Sequence, residues 1–178
     1  MHLTRVAVVG LTLLALTACS SEGDGGSPSP AESSAASTTE ATDSADATQV
    51  ADELKGASPT AGQVVTITED NDPNDKIGRP NGYVTAAVLY DSEITCDSLG
   101  VDCGMTVEVY ANEAAARNRG ETIQSHRAEM PFLGDEWDYL KGPVLLRISG
   151  ELKPSSAEKY ASRFGGEQLT APAESAPN

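Results

Sequence analysis

Large apolar residues are almost absent from residues 20–62, which confines a folded core to the chain that follows. This segment is mostly Ser, Ala, Thr, Gly, Pro, Asp and Glu, with Val50 and Leu54 as exceptions. Such a composition cannot offset the entropy of ordering by burying apolar surface. We therefore predict a disordered linker over 19–62 and a single domain over 63–166, a size that supports one core. The tail, 167–178, is similar to the linker in composition and is predicted to be disordered too.

The first 18 residues have the order of a secretory signal peptide. One positive charge, Arg5, precedes an apolar run from Val6 to Leu16. This run is too short to span a hydrocarbon core, which needs about 20 apolar residues. Residues 1–18 are therefore predicted to be a cleaved export signal.

The end of the signal carries a lipobox, Leu16-Thr17-Ala18-Cys19. An aliphatic residue three positions before Cys, with small residues directly before it, is typical of cleavage at a cysteine that carries acyl chains such as palmitate. Two or three acyl chains at about 0.8 kcal/mol per buried methylene hold a protein firmly on a membrane. The sequence thus predicts a lipid anchor at Cys19 and a location on the extracytoplasmic face of the cell membrane. The alternative is an ordinary cleaved signal with an incidental cysteine.

Two further cysteines, Cys96 and Cys103, lie close together in the sequence. In an oxidising compartment such a pair favours a disulfide bond. The alternative, a pair of metal-binding thiolates, needs more Cys or His. His126 is the only histidine after the signal, so no metal site is predicted there.

The pattern of the domain predicts an α+β fold with a small, mainly antiparallel sheet of about four strands and two helices on one face. Short β-branched or alternating runs indicate strands at 64–68, 83–90, 105–110 and 143–149. Asn112 is a candidate N-cap for a helix to about residue 129, with Gly120 weakening its middle. Ser155 and Glu158 form a capping box for a second helix, and Gly165 and Gly166 end it.

The net charge of −15 restricts the partners that the chain can bind. Nucleic acids and anionic lipid headgroups need a stripe of Lys and Arg to neutralise phosphate, and none is present. The acidity could attract cations, but it identifies none. No cofactor is predicted.

The most distinctive stretch runs from residue 66 to residue 83. Asp70, Asp72 and Asn74 repeat the spacing of the first three ligands of an EF-hand calcium loop. Asp75 stands where such a loop requires glycine, however, and Asn81 stands where it requires a bidentate Glu. The pattern therefore favours a structural turn in which Asp and Asn side chains bind nearby backbone amides. The candidate binding residues are Glu69, Asp70, Asp72, Asn74, Asp75, Arg79 and, further along the chain, Trp137.

No catalytic residue is predicted. His126 has no nucleophile or orienting carboxylate in a recognisable motif. Carboxylate pairs can hydrolyse glycosides, and acids near strand ends are the candidates: Glu108, Asp135, Glu136 and Asp138. Trp137 and Tyr139 could form an exposed aromatic patch for a sugar or a partner protein. The favoured alternative is that they begin the fourth strand and close one edge of the core.

Two elements of the domain resemble a family of uncharacterised secreted lipoproteins of Gram-positive bacteria. The first is Asn71-Asp72-Pro73-Asn74, then Gly78-Arg79-Pro80 and Tyr83; the second runs from Tyr139 to Pro154. The resemblance covers about residues 64–164. It implies a lipobox, a low-complexity linker and a small domain, and it implies no activity or functional residues.

These features together predict a non-enzymatic binding module displayed at the cell surface. Its expected partner is an envelope protein or a cell-wall component, contacted through the 69–82 loop, with Trp137 as a further contact. The alternatives are a calcium-dependent binding module that uses this loop and a small hydrolase that uses carboxylates.

Overall fold

The computed structural model describes residues 45–171 of the chain. The predicted signal peptide, Cys19 and most of the predicted linker lie outside these residues. Within 45–171 there are three α-helices and six β-strands. In chain order these are α1 Ala47–Leu54, β1 Ala61–Ile67, β2 Thr85–Asp91, β3 Gly104–Val109, α2 Glu113–Glu129, β4 Glu136–Lys141, β5 Val144–Ser149, α3 Pro154–Phe164 and β6 Glu167–Leu169.

All six strands pair antiparallel in one sheet of order β1-β2-β3-β5-β4-β6. The α+β class and the antiparallel sheet are confirmed. The prediction of about four strands is wrong. Residues 136–149, expected to hold one strand, form the hairpin β4–β5 around Gly142, whose φ is 54°. The short strand β6 pairs with β4 within the predicted disordered tail, and Leu169 is buried.

The helices lie on both faces of the sheet, so the prediction of two helices on one face is wrong. Leu146 and Ile148 of β5 pack with residues of α1 and α3, whereas Leu145 packs with Ala116 and Ile123 of α2. Because side chains alternate along a strand, the central strands bury both faces. All six residues of β3 and of β5 are buried.

The prediction of a disordered linker to residue 62 is wrong from residue 47 onward, where helix α1 begins. Ala47, Ala51 and Leu54 follow a helical spacing and are at most 2% exposed. Asp46 caps the helix by accepting hydrogen bonds from the backbone N–H groups of Thr48 and Gln49. A scarcity of large apolar residues does not exclude this helix, because the small side chains of Ala47 and Ala51 pack in the core against the sheet.

Helix α2 begins as predicted, with the Asn112 side chain accepting from Ala115 N–H. Its central Gly120 faces the sheet. A Cβ atom at that position would lie 2.4 Å from Leu169 Cδ1 and 3.0 Å from Leu145 Cδ1. The missing side chain therefore lets the helix approach strands β5 and β6.

Helix α3 begins earlier than the capping box predicted. Its N-cap is Lys153, and Pro154 occupies the first turn without a side-chain cap. Proline suits this position because its absent N–H would have no partner in the helix. The predicted end is confirmed, since Gly165 adopts the left-handed conformation with φ 70°.

Candidate functional site

The loop between β1 and β2 is organised by one carboxylate, Asp72. Its Oδ1 accepts from Asn74 N–H at 2.9 Å and from the Tyr83 hydroxyl. Its Oδ2 accepts from Lys76 N–H at 2.6 Å and from Ile77 N–H at 2.9 Å. Burial raises the pKa of Asp72, but the bonds from Tyr83 and the backbone outweigh it, so the pKa is lowered. These four donors favour a structural turn over a calcium ligand, which would need the same oxygen atoms.

The loop also contains residues with a left-handed backbone conformation and a glycine at a close approach of the chain to itself. Asp75 and Asn81 have φ values of 49° and 62°, in the left-handed region that Asp and Asn tolerate best. A Cβ atom at Gly82 would lie 1.8 Å from the Lys76 carbonyl oxygen. Glycine is therefore required where the chain passes close to its own backbone.

The ordered loop exposes most of the predicted binding residues on a shallow concavity of about 420 Å³. Glu69, Asp70, Asp75 and Arg79 line it, whereas Asn74 does not. Arg79 Nη2 donates to both oxygens of Asp75 at 2.6 and 2.8 Å in an exposed ion pair. No cluster of three or more His, Cys, Asp or Glu side chains within residues 45–171 could hold a metal ion.

A second group of charges is buried between the sheet and α2. Glu108 of β3, Glu136 and Asp138 of β4, and Arg147 of β5 are each at most 8% exposed. Arg147 is central, because Asp138 lies directly opposite it across the β4–β5 pair. Its Nη1 donates to Glu108 Oε1 at 2.9 Å, and Nε and Nη2 donate to the two oxygens of Glu136 at 3.1 and 3.0 Å. We call these four residues the buried charge cluster.

Helix α2 covers the cluster and supplies further partners. Arg127 Nη2 donates to Glu136 Oε2 at 2.5 Å, and Gln124 Nε2 donates to Asp138 Oδ2 at 3.0 Å. Arg119 Nε lies 3.7 Å from Glu108 Oε2. The Tyr110 hydroxyl, at the end of β3, donates to the same Glu108 oxygen at 2.7 Å.

The surroundings of Asp138 favour its neutral form. Burial, followed by the adjacent charge of Glu136, raises its pKa to about 8. Its Oδ1 is buried and accepts no hydrogen bond from the described residues. A protonated Asp138 can instead donate to Glu136, whose pKa is lowered because Arg147 and Arg127 outweigh the effect of burial.

The structure thus brings together three of the four proposed hydrolase carboxylates but gives them no open cleft. Glu108, Glu136 and Asp138 are 2%, 6% and 0% exposed, and each accepts hydrogen bonds from neighbouring side chains. The fourth, Asp135, is exposed, and its backbone carbonyl accepts from Gly150 N–H. This arrangement is suited to holding β3, β4, β5 and α2 together.

The other predicted site residues lie apart from both groups. Trp137 is half-buried on the opposite face of β4 and packs with Tyr139 against the core that contains α1 and α3. His126 is exposed in the last turn of α2. Cys96 and Cys103 form a disulfide bond, with Cα atoms 4.9 Å apart, in the connection between β2 and β3.

Arg147 is a site residue that was not predicted, although the sequence carries a signal for it. Valine, leucine and isoleucine alternate at 144, 146 and 148, which places Arg147 on the other face of a strand that is otherwise apolar from 144 to 148. Glu108 interrupts β3 in the same way. A base and an acid that each interrupt a buried strand can indicate a buried ion pair, since a lone buried charge is costly.

No protein-family model matches the sequence, and no curated protein or solved structure shows significant similarity to it. Among the helices of residues 45–171, none has both the length and the apolar character needed to cross a membrane.

Proposed function

We propose that this chain is an exported lipoprotein, anchored through acyl chains on Cys19, whose folded domain is a non-enzymatic binding module. The lipobox Leu16-Thr17-Ala18-Cys19 at the end of an apolar run supports the anchor. The disulfide between Cys96 and Cys103 is consistent with an oxidising, extracytoplasmic compartment.

The burial of the candidate catalytic carboxylates is the observation that favours a binding function over a catalytic one. A hydrolase that uses two carboxylates needs both within reach of substrate and water. Here Glu108, Glu136 and Asp138 are almost inaccessible and lie under α2. Arg147 neutralises two of them directly. Accessible acids are present on the 69–82 loop, where the hydrogen bonds of Asp72 fix the backbone.

The 69–82 loop is the proposed contact surface. Glu69, Asp70 and Asp75 present carboxylates on its concavity. Fixing the backbone beforehand lowers the entropy cost of binding. Opposite charge on a partner would speed its encounter with this surface and favour it over other partners. The proposed partner is therefore an envelope protein or a cell-wall component that carries amino or guanidinium groups.

Capture of envelope components by the full-length mature protein tests this function. A Glu69→Gln/Asp70→Asn/Asp75→Asn variant removes three loop charges and leaves Asp72 in place. A matched control removes three exposed charges elsewhere, at Glu129, Glu151 and Glu158. We expect the loop variant, but not the control, to lose a salt-sensitive partner. Equal capture by both variants, or turnover of a glycoside or peptide that Glu136→Gln abolishes, would contradict the proposal.

A further inference from the structure

A second concavity, which we call the apolar pocket, opens between α1, the β4–β5 turn and the end of α3. Its volume is about 270 Å³. Its apolar lining is contributed by all three elements and comprises Val50, Leu54, Pro143, Val144 and Phe164. Pockets for drug-sized ligands measure about 300–1,000 Å³, so this one suits a smaller molecule.

Two bases, Lys141 and Arg163, lie at the rim of the apolar pocket. Lys141 Nζ donates to the Phe164 carbonyl at 3.0 Å and lies 5.9 Å from the centroid of the Phe164 ring. An ammonium group has three N–H donors, so two of those on Lys141 remain for a ligand. Arg163 lies against Gly56, where a Cβ atom would be 3.6 Å from Nη2.

Neither base has a carboxylate partner within 4.0 Å among the described residues. Among the Lys and Arg residues of 45–171, only four form no ion pair, and two of them line this pocket. The four are Lys76, Lys141, Lys159 and Arg163. Glu53 also lines the pocket but lies more than 4.0 Å from either base. The rim therefore carries a net positive charge on a chain whose total is −15.

We propose that the apolar pocket binds a small anionic amphiphile of the medium-chain carboxylate class. The tail lies among Leu54, Val144 and Phe164, and the carboxylate accepts hydrogen bonds from Lys141 and Arg163. Charge-assisted bonds of this kind are stronger than those between neutral groups, and the apolar walls favour the tail. This inference rests on the proposed function, since it names a ligand for a binding domain, but it uses a surface distinct from the 69–82 loop.

A titration with three probes of equal tail length tests the ligand class. The mature chain carrying Cys19→Ser needs no detergent, and amide chemical shifts locate the binding site. Octanoate should bind saturably and shift the signals of Val50, Leu54 and Phe164. Octanol should bind more weakly, and octylamine more weakly still. Equal affinities, shifts centred elsewhere or no saturable binding would overturn the inference.

Matched variants separate the charge from the pocket itself. Arg163→Gln and Lys141→Gln should each weaken octanoate binding by about two- to fivefold, as expected for an exposed charge pair. Neither should change octanol binding, provided that the melting temperature is unaltered. Lys159→Gln, on the same helix but outside the pocket, should change neither. An equal effect of Lys159→Gln and Arg163→Gln would refute the rim assignment.

A partner captured through the loop alongside a failed octanoate titration would reject only this inference and leave the proposed function standing.

Discussion

The guanidinium of Arg147 binds the Glu136 carboxylate through two nearly parallel hydrogen bonds of 3.1 and 3.0 Å beneath helix α2. Both residues are at most 8% exposed. This bidentate geometry is the strongest that Arg and a carboxylate can adopt. Because the third bond of Arg147 reaches Glu108, one side chain links strands β3, β4 and β5 across the sheet.

Replacing Arg147 with Met should be strongly destabilising. The change leaves Glu108 and Glu136 buried with fewer positive partners, and breaking a buried pair in this way costs about 3–5 kcal/mol. Denaturant unfolding followed by circular dichroism measures the loss. Adding Glu108→Gln should recover part of it, because that change removes one uncompensated charge.

The exposed Lys159→Met variant serves as the control for the Arg147 variant. It removes a base of similar length that forms no ion pair with the described residues, so its unfolding midpoint should stay at the wild-type value. If Arg147→Met unfolded at the same denaturant concentration as this control, the cluster would have no structural role.

Replacing Asp138 with Asn should change how stability depends on pH. The folded-state pKa of Asp138 is about 8, against an ordinary value of 3.8, so between these values the folded chain keeps a proton that the unfolded chain has lost. The free energy of unfolding then falls as pH rises from 4 to 8, by at most about 1.4 kcal/mol per pH unit. Asn cannot ionise, so the variant should lack this fall and be more stable than wild type at pH 8.

Unfolding curves of both proteins at pH 5, 6.5 and 8 test the role of Asp138. The stability of the Asp138→Asn variant relative to wild type should increase steadily with pH. Glu136 does not contribute to the change in stability over this pH range, because a lowered pKa affects the free energy of unfolding only as pH falls below the ordinary value of 4.5. Parallel pH profiles for the two proteins would show that Asp138 is ionised in the fold.

Replacing Asp72 with Ala should release the 69–82 loop. The change removes the acceptor of three backbone N–H groups and of the Tyr83 hydroxyl, which becomes a buried donor without a partner. We expect a loss of about 1–3 kcal/mol and faster amide hydrogen exchange at Asn74, Lys76 and Ile77. Asp70→Ala, which removes a neighbouring carboxylate with no such bonds, should leave these exchange rates unchanged. Slow exchange in both variants would rule out Asp72 as the organiser.

Breaking the Cys96–Cys103 disulfide should destabilise the domain without unfolding it. The bridge closes a short loop, and the chain-entropy relation gives about 2.5 kcal/mol for eight residues. Cys96→Ala/Cys103→Ala should show this loss in thermal unfolding. Reductant should lower the melting temperature of wild type and leave that of the variant unchanged. If reductant left the melting temperature of the wild type unchanged, the disulfide would not stabilise the domain.

Much of the sheet was predictable because its strands carry a local signal. Alternation at 105–110 and 143–149 identified β3 and β5, and the Asn112 and Gly165 caps fixed one end of each longer helix. The number of strands was not predictable in the same way. β6 has only three residues, and it is ordered by pairing with β4, which no local pattern reveals.

The site was only partly predictable, for a different physical reason. The sequence marks the acids Glu108, Glu136 and Asp138 as candidates, but their role depends on burial and on partners distant in sequence. Arg147 is 39 residues from Glu108, and only the strand register brings them together. The Asp72 turn was predictable, because its backbone partners lie within five residues.

The proposed lipid anchor at Cys19 can be tested by the intact mass of the mature protein extracted from membranes, combined with sequencing of its first peptide. The anchoring proposal requires a chain that begins at Cys19 with diacylglyceryl on its sulfur, and a domain that carries Cys96 and Cys103 as a disulfide. A free thiol at residue 19, or residues 1–18 still joined to the domain, would contradict it.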